Sequence, residues 1–269
     1  MAMQSRNSSL RNMVKTQYNQ QHMGAAYGPY GQMTQAPQVQ TMRIDDVIVR
    51  TVALVGATFV AAILTYGMVG SGDSASVGTA GMLMTLGAVV GLGVIIFSMF
   101  KPITNPFICF AYAIGQGLLL GGVSAVFEAQ FPGIVVNALL GTILVFAGML
   151  ALYRFRILKN SPVFTKVIIG AGFGIFALTM VNLVASMFGA NLGLFASPGG
   201  DPTTLQWIIA IGITLWAAFS FILDFDMIEQ SAQMGAPKKY AWAGAFGLTA
   251  GLIFLYWNLL RLLSYFQSN

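Results

Sequence analysis

The chain has 269 residues, of which 57% are hydrophobic and only 8% charged, with a formal net charge of +5. A soluble domain is about 25% charged, so too few polar groups are present to coat a water-facing surface, and the surplus apolar surface must face lipid. The one cysteine, Cys109, excludes an internal disulfide. With His22 as the one histidine, a Cys/His metal site or a Ser-His nucleophile inside the membrane is hard to build. No metal, no cofactor and no enzymatic activity are expected.

Residues 1–42 are rich in Gln, Asn, Met, Gly and Tyr and show neither helical nor strand periodicity. They read as a disordered polar tail and a solvated leader. They lack the apolar core and cleavage site of a secretory signal. Residues 43–269 form the membrane domain. Seven apolar runs are predicted as spans: Thr51–Val69, Ala80–Phe100, Pro106–Phe127, Gly133–Tyr153, Val163–Phe188, Thr203–Leu223 and Tyr240–Phe266. Each is long enough to cross a hydrocarbon core of about 30 Å as a helix, which needs about 20 residues. A helix satisfies its own backbone hydrogen bonds in lipid. The polar alternation of a membrane β-barrel is missing. The expected fold is an all-α integral membrane bundle of seven transmembrane helices.

The basic residues set the orientation. Arg6, Arg11, Lys15, Arg43 and Arg50 precede span one, and Lys101 separates spans two and three. Arg154, Arg156, Lys159 and Lys166 surround the join of spans four and five, and Lys238 and Lys239 separate six and seven. The joins after spans one, three and five hold Asp73, Glu128 and Asp201 instead. With the amino terminus in the cytoplasm, every Lys and Arg except Arg261 falls inside. The same alternation requires an odd number of spans and puts the carboxyl terminus outside, unless the last segment only re-enters the membrane.

Four spans carry G-x-x-x-G: Gly87 with Gly91, Gly117 with Gly121, Gly170 with Gly174, and Gly247 with Gly251. That spacing lets helix backbones approach closely. Repeated on four spans, it reads as packing within the bundle rather than as a dimer face.

An ionisable group within a span costs roughly 2.5–3.5 kcal/mol on insertion scales, which makes such residues informative. The densest group is FSFILDFDMIEQ at the end of span six, with Asp224, Asp226 and Glu229. Asp226 and Glu229 are three apart and share a helix face. Asp224 lies about 200° round the helix from Asp226, on a face with Ser220. One face is then free to look into the bundle and the other toward the cytoplasm; the plainer alternative is three interfacial acids marking the end of a span. In span seven, Asn258 and Arg261 stand in LYWNLLRLLSYF. Arg261 reads as a charge snorkelling to the outer surface, and Asn258 as a donor for an interhelical hydrogen bond. Span seven has no lysine for a retinal Schiff base, and no span holds a histidine for a serine protease.

Several segments resemble the Bax inhibitor-1 (transmembrane Bax inhibitor motif) family, especially its bacterial YccA-like branch. They are the opening MQSRNSSLRN, MRIDDVIVRT at the start of span one, NPFICFAYAIGQGLLLGGVSAVFE in span three, FILDFDMIEQ-x-x-x-x-GAPKKYAW, and LYWNLLRLLSYF. The resemblance implies six helices around a central last helix and a passive, pH-sensitive Ca²⁺ leak. It also implies a paired-aspartyl sensor, with one acid on helix six and one on helix seven. Asp224 matches the first position. Asn258 stands at the second, after Leu-Tyr-x, and Gln116 stands where a third-span acid is common. Two nearby carboxylates share a proton and give a pH switch; an amide such as Asn258 instead donates a hydrogen bond to Asp224 without sharing one. A tight hairpin centred near Pro237 places Gly251 opposite Asp224, so Asn258 reaches it only through an offset turn or unwound helix ends.

The functional expectation is a pH-sensitive cation leak of the cell membrane, gated near Asp224, with Ca²⁺ or protons as its ions. The alternative is a non-conducting modulator of a membrane protease or stress-response protein. The expected partners are the lipid bilayer and, in the second case, another membrane protein; nucleic acid is not among them. The resemblance suggests a bacterial inner membrane. A reporter enzyme that works only outside the cytoplasm should be active when fused after Asn269 and silent when fused at Lys159. The reverse pattern contradicts the orientation, and two silent fusions point to a re-entrant last segment.

Overall fold

Seven long helices follow one another, and in the computed structural model each of them begins where its sequence supplies a cap or a break. The structure describes residues 40–190, 192–194 and 202–268. The helices are α1 (Ile44–Gly70), α2 (Ser74–Phe100), α3 (Pro106–Gln130), α4 (Ile134–Arg154), α5 (Pro162–Met187), α6 (Thr204–Gln233) and α7 (Ala241–Gln267). Asp73, Asn105, Ser161 and Thr203 accept hydrogen bonds from the first free backbone N–H groups of α2, α3, α5 and α6. Asp45 and Asp46 sit in the first turn of α1, where negative charge complements the helix dipole. Pro106 and Pro162 open α3 and α5, where a missing N–H costs nothing.

All seven helices are long and apolar enough to cross a membrane. The chain is thus a multi-pass membrane protein. Its apolar exterior is what lipid contact requires: Val52, Val60, Met82, Phe107, Leu144, Val163 and Ile208 are all more than 60% exposed. The polar tail predicted over residues 1–42 lies outside the described residues up to 39. Its last two residues behave differently: Met42 is buried, and its N–H donates to the Ala236 carbonyl. The helical unit accordingly starts at Thr41.

The expected span boundaries match within a few residues, except at three places. α1 begins seven residues before Thr51, α2 begins six residues before Ala80, and α6 runs ten residues beyond Leu223. Hydropathy marks where apolar side chains stop, whereas the helix continues as long as its backbone bonds and caps allow. Asp224, Asp226 and Glu229 therefore all lie on helical backbone, in the last turns of α6.

α7 packs against α1, α3, α4 and α6 and occupies the interior, as expected of the last helix. It shares that position with α3, which contacts α1, α2, α4 and α7. α2 and α5 lie at the periphery, with few buried residues. The two interior helices have opposed glycine faces. A Cβ on Gly117 would lie 2.3 Å from the Thr58 carbonyl oxygen, and one on Gly121 2.0 Å from that of Ala62. On α7, a Cβ at Gly251 would lie 2.9 Å from the Phe221 ring. Gly87 meets the Gly115 carbonyl in the same way. Three of the four G-x-x-x-G pairs thus serve contacts inside the bundle. The fourth does not: Gly170 and Gly174 face open space, and α5 docks instead through Gly172, which lies under the Trp216 ring.

The aromatic rings fill the interior edge to face. Tyr112 meets Phe246 at 4.9 Å and Phe146 meets Phe221 at 5.1 Å between centroids. Polar side chains in the core are bonded locally or across helices. Thr51, Thr58, Thr142, Thr214 and Thr249 each donate to the carbonyl four residues earlier. The hydroxyls of Ser124 and Tyr256 pair at 2.7 Å between α3 and α7, and the Trp216 indole N–H donates to the Ile168 carbonyl between α6 and α5.

Gly121→Ala should lower the melting temperature of the detergent-solubilised protein, because its Cβ forces α3 away from α1; overpacking of this kind costs about 1–3 kcal/mol. Gly170→Ala, with nothing within 4 Å of the added carbon, should leave it unchanged. Equal effects would mean that α1 and α3 do not meet along these glycines.

Candidate functional site

The start of α1 and two interhelical turns meet at one end of the bundle. The Arg50 guanidinium donates to the Lys238 carbonyl at 2.7 Å and lies 4.9 Å from the Trp242 ring centroid. Lys238 pairs with Asp46 at 3.4 Å. These contacts bring the start of α1 beside the α6–α7 turn. At the same end the α4–α5 turn reaches α6: the Tyr153 hydroxyl donates to Glu229 and the Asn160 amide to Asp226 at 2.7 Å. The basic residues flanking α1, α4, α5 and α7 therefore share one end, as their alternation along the sequence requires. The other end carries Asp73 at the start of α2 and Glu128, whose carboxylate accepts from the backbone N–H groups of Gly133 and Val135.

The acids of α6 separate onto two faces. Asp226 and Glu229 look into a cleft formed with the α4–α5 turn. Both are anchored by neutral donors: Asn160 and Gln230 on Asp226, and Tyr153 and Gln233 on Glu229. Asp224 points the other way, toward α7. An ideal Cβ on Gly247 would lie 3.5 Å from its Oδ1. The carboxylate thus rests against α7 at a residue that has no side chain of its own. Among the described residues it has no hydrogen-bond or ion-pair partner. Ser220, on the same face, donates instead to the Ala217 carbonyl of its own helix.

Asn258 does not meet Asp224. The α6–α7 contacts set the register: Ile228 faces Gly244, Asp224 faces Gly247 and Phe221 faces Gly251. Asn258 lies three turns further along α7, about 16 Å of helix rise. It is buried, and its amide donates to the Phe254 carbonyl of its own helix at 2.7 Å. The hairpin is also offset from the simple expectation, which put Gly251 opposite Asp224. Gly235, at φ +68°, ends α6, and a short 3₁₀ turn at Lys238–Tyr240 leads into α7. Together they shift α7 by one turn relative to a symmetric hairpin. Gln116 is equally distant from the expected role. Its amide lies over Gly91 of α2, where a Cβ would come within 1.7 Å of Nε2.

The partners of the two cleft acids carry uneven sequence signals. Gln230 and Gln233 stand four residues after Asp226 and Glu229, a spacing that signals same-face pairing on a helix. Tyr153 and Asn160 carry no comparable signal, because their contacts depend on how the α4–α5 turn folds back. On α7, Arg261 lies 6.0 Å from the Trp257 ring centroid and borders an apolar recess with Met84, Val123 and Leu260.

The family model described as "Bax inhibitor 1 like" matches residues 6–268. The chain belongs to that family. No curated protein matches the chain significantly. The match takes in all seven helices of this Bax inhibitor 1 like protein, including α6 with its three acids and the glycine face of α7.

Proposed function

We propose that this Bax inhibitor 1 like protein is a pH-sensitive cation leak pathway for Ca²⁺ in the cell membrane, with Asp224 at its gate. The observation that carries the reading is an unpaired carboxyl within a membrane-spanning helix, aimed at the neighbouring interior helix. A charge held there is costly and is rarely kept without a task. Its position against Gly247 makes it sensitive to small movements of α7 on α6. Asp226 and Glu229, bonded to neutral partners in the cleft, anchor the end of α6 and are not the gate. The basic end of the bundle faces the cytoplasm in this reading, and no catalytic chemistry is involved.

A second reading, a non-conducting membrane modulator of a partner protein, draws on a different observation. The α7 position facing Asp224 is a glycine, so the carboxyl pair that the family resemblance implies is missing.

Ca²⁺ flux through purified protein in liposomes separates the two. The leak reading requires flux above that of empty liposomes. Asp224→Asn should change it severalfold, with Asp226→Asn close to the parent; no flux favours the modulator, and equal effects of the two substitutions leave a leak in which Asp224 is not the gate. Gly247→Asp adds a carboxyl beside Asp224. The two then share protons and titrate as a pair, so flux should become more steeply pH-dependent. Asn258→Asp, three turns away, should leave the pH curve of the parent unchanged.

A further inference from the structure

The cleft between the α4–α5 turn and α6 has a volume of about 310 Å³. α6 contributes Asp226 and Glu229 to it; the end of α4 and the turn contribute Arg154, Arg156 and Lys159. Opposite charges thus line one cleft without pairing. Among the described residues the one ion pair is Lys238 with Asp46, at another part of this end. The two carboxylates take their hydrogen bonds from Tyr153, Asn160, Gln230 and Gln233. The three cations are exposed and pair with no carboxylate among the described residues.

Arg156 is held in place at a cost. It is the one non-glycine residue with positive φ among the described residues, at +57°. Left-handed backbone crowds the Cβ of an L-residue, and glycine is the residue that avoids the penalty at a helix end. The turn is fixed by backbone bonds from Arg156 to Tyr153 and from Ile157 and Leu158 to Leu152. The sequence places a guanidinium at this strained position, and the turn directs it to the cleft.

We propose that this cleft binds a phosphate group through Arg154, Arg156 and Lys159, and that its bearer is a phospholipid headgroup of the adjoining leaflet. Guanidinium groups match phosphate oxygens in a bidentate fork, and lysine adds a point charge. The site lies at the ends of two membrane-spanning helices, and the end of a span is where the chain meets the headgroup layer. Three cations against two carboxylates leave a formal charge of +1, which balances a lipid phosphodiester better than a doubly charged free phosphate ester. A phosphate held there joins the end of α4 to the turn that follows it. This inference is independent of ion conduction.

The test is thermal unfolding of the purified full chain in neutral detergent, titrated with short-chain phosphatidylglycerol, with diacylglycerol of the same tails, and with glycerol phosphate. Phosphatidylglycerol should raise the melting temperature at saturable concentration, and diacylglycerol should not. In the triple variant Arg154→Gln, Arg156→Gln, Lys159→Gln, the midpoint for phosphatidylglycerol should rise by about tenfold or more, as loss of charged hydrogen bonds to phosphate requires. Arg156→Gly provides a variant that relieves the backbone strain. It should melt at or above the parent temperature without lipid, yet respond to lipid severalfold more weakly. A glycerol phosphate response equal to that of the lipid supports the phosphate site and assigns it to a soluble bearer. An unchanged midpoint in both variants, or equal stabilisation by diacylglycerol, overturns the proposal.

Discussion

The bundle depends on two helices that lack side chains where they touch their neighbours. In lipid there is no water to expel between helices, so association rests on van der Waals packing and interhelical hydrogen bonds. Close packing needs close backbones. α3 achieves this against α1 at Gly117 and Gly121, and α7 against α6 at Gly244, Gly247 and Gly251. At Gly117 and Gly121 a carbonyl oxygen of the partner helix occupies the space a Cβ would need, so the contact cannot be reproduced by alanine. These faces fix α3 and α7 in the interior, and α2 and α5, which each dock on one side and bury few residues, remain at the edge.

The same device places chemistry. The face of α6 that packs on the glycines of α7 carries Ile228, Asp224 and Phe221 in successive turns. Two of these fill apolar space; the middle one is a carboxyl. Gly247 meets the carboxyl on the same face that packs the two helices, so packing and placement are one constraint. Asp226 and Glu229, on the opposite face, enter a polar network that crosses to α4 and its turn. One helix thus holds a bare acid toward the interior and two hydrogen-bonded acids toward the α4–α5 turn, separated by the angular step of two residues.

Much of this was legible in the sequence because it is one-dimensional information. Seven apolar runs, the alternation of basic residues and the angular separation of Asp224 from Asp226 follow from counting along the chain. The small-residue pattern also reported packing correctly on α2, α3 and α7. It failed on α5, where spacing alone does not reveal which face a neighbour covers, and a single glycine under Trp216 makes the contact. Register between helices was the larger difficulty. It is set by the backbone of the α6–α7 turn, through Gly235 and the 3₁₀ segment, and by which side chains fill the gaps. Neither is encoded in residue spacing. Motif order put Asn258 beside Asp224 and gave Gln116 a share of the site. The fold turns Asn258 back onto its own helix and lays Gln116 against α2.

Cysteine cross-linking in membranes bears most directly on this register. With Cys109→Ala removing the native thiol, the pair Asp224→Cys and Gly247→Cys should form a disulfide on mild oxidation, since the two positions face each other within reach of such a bond. The pair Asp224→Cys and Asn258→Cys should stay reduced. Cross-linking to position 258 and not to 247 would contradict the placement of the acid against the glycine face of α7.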